Sequence, residues 1–466
     1  MKQDKSKVAQ PFISLLLLIA CLGILSLFNS RLDVWGLQTK PIEPFSEILL
    51  SGAVSKAPLP GSIINDSIIA KDSMAFAMRR LDPTNIVDFK KGSTTTLASF
   101  FESLKATKQG KGQTRIAYFG DSMIEGDLIS QDLRALMQDE FGGNGVGYVP
   151  ITSIVSYFRK SIKHKFKGWT TYKFFSQKPE RHGLGISGYG FVPTDIQDFK
   201  YSDKTSNSWV KYSAPSSKHL DRFYNTKLIY GKGSKHNSVI INNKQYLLDG
   251  KAEVNQITHV NDNDSLVVDA YFKCKKPMDI YGFSFESERG VLVDNYSFRG
   301  NSGLPNYRVK KAIYSGTNTC LNYDLIILQY GLNALNPNTT TYSWYRIGMT
   351  KVINHIKESF PGVSILLISV GDKGYNKNGK FQTDPSAPLL LATQKRLAKD
   401  NELAFWSLYD AMGGYGSMVK WVEGDTVYAK KDYAHFNHRG ASRVGKMLFE
   451  KLLSEYKDYY KSYATN

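Results

Sequence analysis

Four nearly continuous apolar runs place the strongest constraint on how this chain folds. They occupy residues 115–119, 323–330, 363–370 and 403–408. Segments with helical spacing of apolar residues, at 345–358, 388–399 and 440–456, alternate with them. A strand that is apolar at successive positions has no face for solvent, so it belongs in a parallel sheet covered by helices on both sides. The pattern therefore predicts a three-layer α/β fold.

The hydropathy pattern changes between residues 152 and 289. Here short segments of alternating apolar and polar residues are separated by turns rich in Gly, Asn and Asp. Short strands at near-regular intervals indicate a β-sandwich or jelly roll. Because the α/β pattern resumes only at about residue 290, we interpret the sandwich as an insertion. The predicted layout is an N-terminal membrane anchor or signal at 1–30, a linker and extension at 31–111, the α/β domain at 112–151 and 290–466, and the inserted sandwich at 152–289.

The amino terminus predicts a location outside the cytoplasm. Lys2, Lys5 and Lys7 precede an apolar run at 11–28, which is close to the shortest length that spans a bilayer. With the lysines retained inside, the rest of the chain lies across the membrane, anchored in the cell envelope on its periplasmic or outer face. A lipoprotein with Cys21 as the lipidated residue and a cleaved signal peptide are alternatives that lead to the same side.

The net charge of the chain bears on which kinds of partner it binds. The 466 residues include 60 Lys and Arg against 42 Asp and Glu, a net charge of +18. The excess is spread along the chain and forms no basic arm or nucleic-acid-binding motif, so we expect no nucleic-acid partner. A dispersed basic surface suits an anionic glycan or an anionic membrane, and it also serves solubility.

Cysteine usage excludes two classes of protein. Three cysteines in so long a chain cannot build a disulfide framework, and no Cys/His cluster predicts a metal site. Cys274 and Cys320 can pair outside the cytoplasm or remain buried free thiols, and the sequence leaves both open.

The chemistry is suggested by a serine where the first apolar strand ends. Gly120-Asp121-Ser122 follows that strand on a tight turn, which we expect to open a helix at the carboxyl edge of the sheet. The helix N-terminus would then favour negative charge beside the Ser122 hydroxyl. Near the other end of the chain, Asp432 precedes His435 by three residues. A carboxylate so placed can hold the imidazole Nδ1–H, so that the other ring nitrogen takes the serine proton.

Taken together, these residues resemble the four sequence blocks of the SGNH (GDSL-type) hydrolase superfamily. In chain order the blocks are Gly120-Asp121-Ser122, Gly300, Gly331-Leu332-Asn333 and Asp432-x-x-His435. The resemblance implies a flavodoxin-like parallel sheet with Ser122 as nucleophile, His435 as general base and Asp432 as its partner. It also implies an oxyanion hole formed by Gly300, Asn333 and the Ser122 N–H, with Gly303 as the alternative glycine. One position departs from the family pattern, because Ala334 stands where an aspartate is common.

The inserted sandwich and the segment at 141–150 narrow the resemblance to bacterial peptidoglycan O-acetylesterases with an insert similar to a carbohydrate-binding module. This implies removal of O-acetyl groups from a cell-wall polysaccharide through an acetyl-enzyme intermediate, without metal or cofactor. The expected partners are an acetylated glycan polymer and, through the N-terminal segment, a membrane. A polysaccharide O-acetyltransferase with the same triad and a non-catalytic glycan-binding protein are the alternatives.

Several other residues receive a structural interpretation. We expect solvation on a helix surface for His438, not a metal site shared with Asp432. Glu125 and Asp127 can shape the mouth of the site or favour the N-terminus of the helix that follows, and we favour the second role. Six aromatic residues of the insert are possible sugar platforms but are more simply explained as core or cover. They are Trp169, Tyr172, Trp209, Tyr212, Tyr224 and Tyr230.

Overall fold

The structure is a computed structural model that describes residues 82–92, 94–176, 183–194, 206–262 and 264–464. Within these ranges the α-helices are α1 (Ala98–Lys108), α2 (Ser130–Phe141), α3 (Lys311–Leu321), α4 (Ser343–Ser359), α5 (Ala387–Asp400), α6 (Leu408–Met412), α7 (Ser417–Glu423) and α8 (His438–Ala464). The strands are β1 (Val87–Asp88), β2 (Gln113–Gly120), β3 (Gly147–Val149), β4 (Lys163–Lys167), β5 (Trp169–Lys173), β6 (Tyr189–Pro193), β7 (Ser208–Ser213), β8 (Asn225–Tyr230), β9 (Ser238–Ile241), β10 (Lys244–Leu247), β11 (Asn255–Val260), β12 (Val267–Lys273), β13 (Ile280–Glu286), β14 (Gly290–Ser297), β15 (Leu325–Gln329), β16 (Ser364–Ile368), β17 (Gly374–Lys377), β18 (Lys380–Thr383) and β19 (Ala404–Trp406).

Six strands form the central sheet in the order β1-β19-β16-β15-β2-β14. All neighbours in it are parallel except β1, which pairs antiparallel with β19. Among the five parallel strands, β2 comes first in the chain and lies between the second, β14, and the third, β15. This is the flavodoxin-like order, whose winding reverses between β2 and β15. The predicted α/β fold with a parallel sheet is confirmed.

Alternation along the strands divides the interior into two cores. Ile116 and Tyr118 of β2 join buried side chains of α1, α2 and α8 on one face of the sheet. Ala117 and Phe119 join those of α3, α4 and α5 on the other face. Because successive strand residues point to opposite faces, a run of apolar residues supplies both cores at once.

Between α2 and β14 the chain forms two antiparallel sheets. Their strand orders are β10-β9-β12-β7-β4 and β11-β8-β13-β6-β5, and β3 adds to the second through β13. Val210, Val268 and Phe283 belong to one apolar core that the two sheets share, so the arrangement is a β-sandwich. β3 lies before residue 152, where the sequence analysis begins the insert, and yet it pairs within the sandwich. The limits of an inserted domain stay a prediction.

A buried ionic cluster ties the sandwich to the central sheet. The Arg115 side chain of β2, 1% exposed, donates from Nε to Asp294 Oδ2 of β14 at 2.7 Å and from Nη1 to Glu286 Oε2 of β13 at 2.6 Å. Burial raises the pKa of Glu286, but the charges of Arg115 and Lys227 outweigh it and lower the pKa to about 2. Removing one member of such a cluster leaves an uncompensated buried charge, which costs about 3–5 kcal/mol.

The N-terminal segment lies outside the described residues, and the C-terminal helix is longer than predicted. The proposed anchor at 1–30, with Cys21, lies outside the described residues, and in the part that the structure describes no helix has both the length and the apolar character of a membrane span. The last helix, α8, extends past the predicted end at residue 456. It continues because Tyr456 and Tyr460, one turn apart, pack on α1 and α2: the Tyr456 ring meets Phe101 and Phe141.

Candidate active site

Ser122 lies just past the carboxyl end of β2, at the point where the winding of the sheet reverses. β14 and β15 pair with β2 on either side, and the residues that follow them include Gly300 and Asn333. All three therefore reach the same edge of the sheet, the usual position of sites in open α/β sheets. Strand order thus brings together residues that are up to 211 positions apart.

The turn after Ser122 differs from the prediction. Residues Glu125–Asp127 form a short 3₁₀ turn, and α2 begins only at Ser130. Asp127 and Ile129 have φ angles of 69° and 65°, which are left-handed conformations that interrupt a helix. The prediction that the serine turn opens a helix directly is therefore wrong.

His435 connects Ser122 to Asp432 by hydrogen bonds. The Ser122 Oγ lies 2.8 Å from His435 Nε2, and His435 Nδ1 lies 2.9 Å from Asp432 Oδ2. The other carboxylate oxygen accepts the backbone N–H groups of Ala434 and His435, each at 3.0 Å. With Nδ1–H donated to the carboxylate, Nε2 is left to accept the serine proton. These atoms form the geometry that a serine nucleophile and a general base require.

The Asp432 carboxyl is held in its charged form. Partial burial raises its pKa, but the hydrogen bonds from the His435 and Ala434 N–H groups and from the imidazole outweigh burial, so its pKa lies below the ordinary value. A carboxylate ionised at neutral pH can orient the imidazole and stabilise it once it is protonated.

Gly300 and Asn333 both line the cleft in front of Ser122. Gly300 has a φ of 80°, and a Cβ built there meets nothing within 4 Å, so its backbone faces open space. Asn333 Nδ2 donates to the Asn301 carbonyl at 3.2 Å. In contrast, a Cβ on Gly303 would meet Met349 Sδ at 2.7 Å, which places that glycine in the packed interior. Gly300, and not Gly303, therefore lines the cleft, and Asn301 is a partner that the sequence analysis missed.

Asp121, next to the serine, is almost fully buried, with 1% exposure. Its Oδ1 accepts the Met123 N–H at 2.9 Å. Burial raises the pKa of Asp121 to about 7, against the opposing effect of the Met123 N–H and the Asn333 side chain. This carboxyl therefore changes its protonation state near neutral pH.

Replacing this carboxyl by an amide should change how stability depends on pH. Because its pKa is raised in the folded state, its stabilising contribution is full below about pH 4 and is lost as the pH rises through about 7. About three pKa units correspond to about 4 kcal/mol. We expect Asp121→Asn to gain about that much in free energy of unfolding, relative to wild type, between pH 4 and pH 8. Urea denaturation across this range measures it, with Asp425→Asn, an exposed position, as control. Parallel profiles for Asp121→Asn and wild type would contradict it.

The cleft has a volume of about 530 Å³ and carries both signs of charge. Of its acidic residues, Glu125 pairs with Arg299, with Arg299 Nε 2.9 Å from Glu125 Oε2, and Asp432 pairs with His435. Lys373 faces Asp384 at 3.7 Å. Lys430 is exposed, lies over the Phe158 ring at 5.5 Å and forms no ion pair with the residues that the structure describes. The mouth of the cleft therefore carries one uncompensated cation.

Glu125 takes the alternative position, at the cleft, and Asp127 takes neither of the two predicted positions. Glu125 lines the cleft beside Arg299. Asp127 is buried and accepts two bonds of 2.8 Å from Arg134. Burial raises the pKa of Asp127, but Arg134 and Arg159 lower it far below the ordinary value. Arg134 lies seven residues further along the chain, beyond the interrupted turn, and Arg159 lies 32 residues away, so helical spacing gave no signal for the pairing.

His438 is half-buried and not fully solvated on an open helix surface. Its ring stacks on Phe158 with centroids 4.6 Å apart, and its Nδ1 is buried without a hydrogen bond. The described residues contain no cluster of His, Cys, Asp and Glu suited to a metal ion. The ring is more covered than predicted because Phe158, from the loop before β4, packs against this end of α8.

The cysteines and the aromatic residues of the sandwich have structural environments. Cys274 is buried and Cys320 is half-buried, and both are free thiols. Burial raises the pKa of Cys274 to about 12, so the thiol is unreactive. Tyr212 and Tyr230 are core residues, whereas Trp209 is only half-buried.

Comparison with solved structures supports the fold. No protein-family model and no curated protein matches this sequence. A solved structure described as a peptidoglycan O-acetylesterase matches 80% of this chain and 99% of its own, at 20% sequence identity and a TM-score of 0.66. The two chains share one fold. The predicted α/β fold is therefore one that a solved structure also has. A family two carbohydrate esterase from Cellvibrio japonicus is more distant: the match covers 64% of this chain and 99% of that one, at 10% sequence identity and a TM-score of 0.26.

Proposed function

We propose that this protein is an extracytoplasmic serine esterase that removes O-acetyl groups from a cell-wall polysaccharide, with peptidoglycan as the expected polymer. The main support for this proposal is a pair of hydrogen bonds, one from Ser122 Oγ to His435 and one from His435 to Asp432. Both lie at the wall of an open cleft. The fold shared with a peptidoglycan O-acetylesterase supports the choice of substrate.

In the proposed mechanism, Ser122 Oγ attacks the acetyl carbonyl while His435 Nε2 takes its proton. The carbonyl oxygen becomes an oxyanion, which the Ser122 N–H, the Gly300 N–H and the Asn333 amide stabilise. His435 then returns the proton to the departing sugar oxygen, and the acetyl group stays on Ser122. A water deprotonated by His435 then attacks the acetyl carbon, and His435 returns that proton to Ser122 Oγ as the bond to the serine breaks and acetate leaves. Asn333, Lys430 and Asp432, which line the cleft, are exposed to solvent, so we expect an ester on a polymer to reach Ser122 from outside.

Acetate release tests this proposal directly. Purified protein is mixed with acetylated peptidoglycan, acetylated xylan and an acetylated neutral glucan, and free acetate is measured over time. We expect release from at least one of these polymers, fastest from peptidoglycan, and none with Ser122→Ala. Adding an unacetylated glycan separates hydrolysis from transfer, because a transferase would place acetyl groups on that acceptor. Absence of both acetate and acetylated acceptor would refute the proposed function and favour a glycan-binding role.

The location is tested separately. We propose that the apolar run at 11–28 holds the full chain in a membrane with its lysines in the cytoplasm. Membrane fractions of cells that express the full chain should then contain it at full length, with the sandwich open to protease from outside. A shortened chain in the soluble fraction indicates a cleaved signal instead, and loss of membrane binding in Cys21→Ser indicates a lipoprotein.

Asn333→Ala tests the oxyanion hole. Its amide would bind charge that develops only in the transition state, so we expect kcat to fall by about 10²–10³-fold while KM changes little. Steady-state kinetics on p-nitrophenyl acetate measure both constants. Asn338→Ala, an exposed position on the same loop, serves as the matched control. Equal kcat values for wild type and Asn333→Ala would remove this residue from the mechanism.

A further inference from the structure

One face of the five-stranded sandwich sheet is open to solvent. Along β7 and β12, alternate residues such as Val210 and Phe272 point into the sandwich core. The residues between them, including Trp209 and Tyr271, point the other way. Tyr271 exposes 50% of its surface although β12 is the middle strand of the sheet. An aromatic side chain in the centre of an uncovered sheet is available for contact.

Strand register aligns this face into a single row. Lys167 pairs with Trp209, Trp209 with Tyr271, and Tyr271 with Ile240. Directly paired residues lie on the same face, with their side chains side by side. The row continues to Gln245 on β10, so it crosses all five strands and is about 19 Å long at about 4.8 Å per strand.

Positive charge borders this row. Lys163 and Lys165 are exposed on β4, on the same face as Lys167, and Lys273 is exposed two residues beyond Tyr271. Lys211 pairs with Asp269, with Nζ 3.2 Å from Oδ2. The other four lysines form no ion pair with the residues that the structure describes. The row is therefore a strip whose three central residues, Trp209, Tyr271 and Ile240, are apolar, with uncompensated cations at its β4 end and at its side. We call it the Trp209 face.

We propose that the Trp209 face binds a carboxylate-bearing polysaccharide. Sugar rings present apolar C–H faces that pack on the rings of Trp209 and Tyr271, and the carboxylates meet the ammonium groups of the bordering lysines. The face is a second contact for the polymer, separate in its residues from the cleft at Ser122. The choice of a polysaccharide over a nucleic acid rests on the proposed function.

Protection of an edge strand explains only part of this pattern. β4 lies at the edge of its sheet, and lysines on edge strands prevent strand-to-strand aggregation. However, Tyr271 and Lys273 lie on the middle strand, which has no free edge, and Trp209 is on β7, which β4 covers. A role in binding accounts for the central aromatic pair as well as for the lysines.

The test measures binding to polygalacturonate by isothermal titration calorimetry, with the carboxyl-reduced neutral polymer beside it. The protein carries Ser122→Ala in all samples, so turnover cannot influence the result. We expect Tyr271→Ala to weaken binding about tenfold through lost stacking. Lys165→Gln with Lys167→Gln should weaken it and reduce its salt dependence, because two charges are removed. Lys351→Gln with Lys457→Gln, exposed on α4 and α8, removes the same charge elsewhere and should bind like the parent.

The outcomes are distinct. Unchanged binding in Tyr271→Ala and in the Lys165/Lys167 variant, or an equal loss in the Lys351/Lys457 control, would overturn the proposal. Tighter binding to oligo(dT) or to phosphatidylglycerol vesicles than to polygalacturonate would also overturn it, in favour of a nucleic acid or a membrane. To check folding, each face variant is also made with Ser122 intact, and its activity on p-nitrophenyl acetate is measured. Polymer binding without acetate release from any ester would refute the esterase and leave the Trp209 face standing.

Discussion

Ser122→Ala should abolish the acyl-enzyme and lower kcat by about 10⁶-fold, the loss that follows removal of the nucleophile from a triad. The reason is geometric: Ser122 Oγ lies 2.8 Å from His435 Nε2, and alanine leaves the imidazole with no hydroxyl to deprotonate. Residual turnover over water would come from the oxyanion donors alone. A burst of p-nitrophenol in pre-steady-state kinetics, followed by mass spectrometry of the acetylated protein, measures the intermediate.

The matched control is Ser297→Ala. Ser297 ends β14, the neighbour of β2, and has no bond to His435. It should keep the burst and the label from a fluorophosphonate probe, whereas Ser122→Ala should lose both. Retention of the burst in Ser122→Ala, with the acetyl group on another residue, would exclude Ser122 as the nucleophile.

Asp432→Asn should lower kcat by about 10⁴-fold with little change in overall structure. The amide oxygen can still accept the Ala434 and His435 N–H groups, so the loop geometry is kept. The amide cannot stabilise a protonated imidazole, and when its N–H₂ group faces Nδ1 it favours the wrong tautomer. Since the pKa of Asp432 lies below its ordinary value, the wild-type carboxylate stays ionised at any pH where the enzyme is assayed near neutrality.

Kinetics of Asp432→Asn across pH 6–9 give the measurement, and Asp425→Asn on the same stretch of chain is the control for a lost surface charge. The circular dichroism spectrum and the melting temperature should match wild type. If Asp432→Asn loses no more activity than Asp425→Asn, the carboxylate has no role in orienting His435, and the triad reduces to Ser122 and His435.

The prediction of the fold from sequence succeeded where the residues of a single strand form a recognisable pattern. Residues such as Ile326, Ile327 and Leu328 are apolar in succession, and only a strand buried on both faces uses such a run. The extent of α8 was underestimated because its last turns are stabilised by contacts of Tyr456 and Tyr460 with distant helices. No local pattern encodes such contacts.

The residues of the candidate site also fall into two groups, those that a local motif predicted and those whose partners the sequence did not show. Ser122, Asp432 and His435 were found because each lies in a short motif whose spacing carries the chemistry. The partners of Glu125, Asp127 and His438 were missed. These partners, Arg299, Arg134, Arg159 and Phe158, come from other elements and meet them only in the folded chain.

The sequence alone therefore determined which residue types are available and which local elements they form: apolar runs that must be buried, turns that end them, and a histidine three residues after an aspartate. The tertiary structure decided which of these elements meet. Strand order brings Ser122, Gly300 and Asn333 to one edge of the sheet, and register aligns Trp209 with Tyr271 on the sandwich. The physical reason is that spacing along a chain sets local conformation, whereas distances between strands and the burial of charges depend on packing of the whole domain.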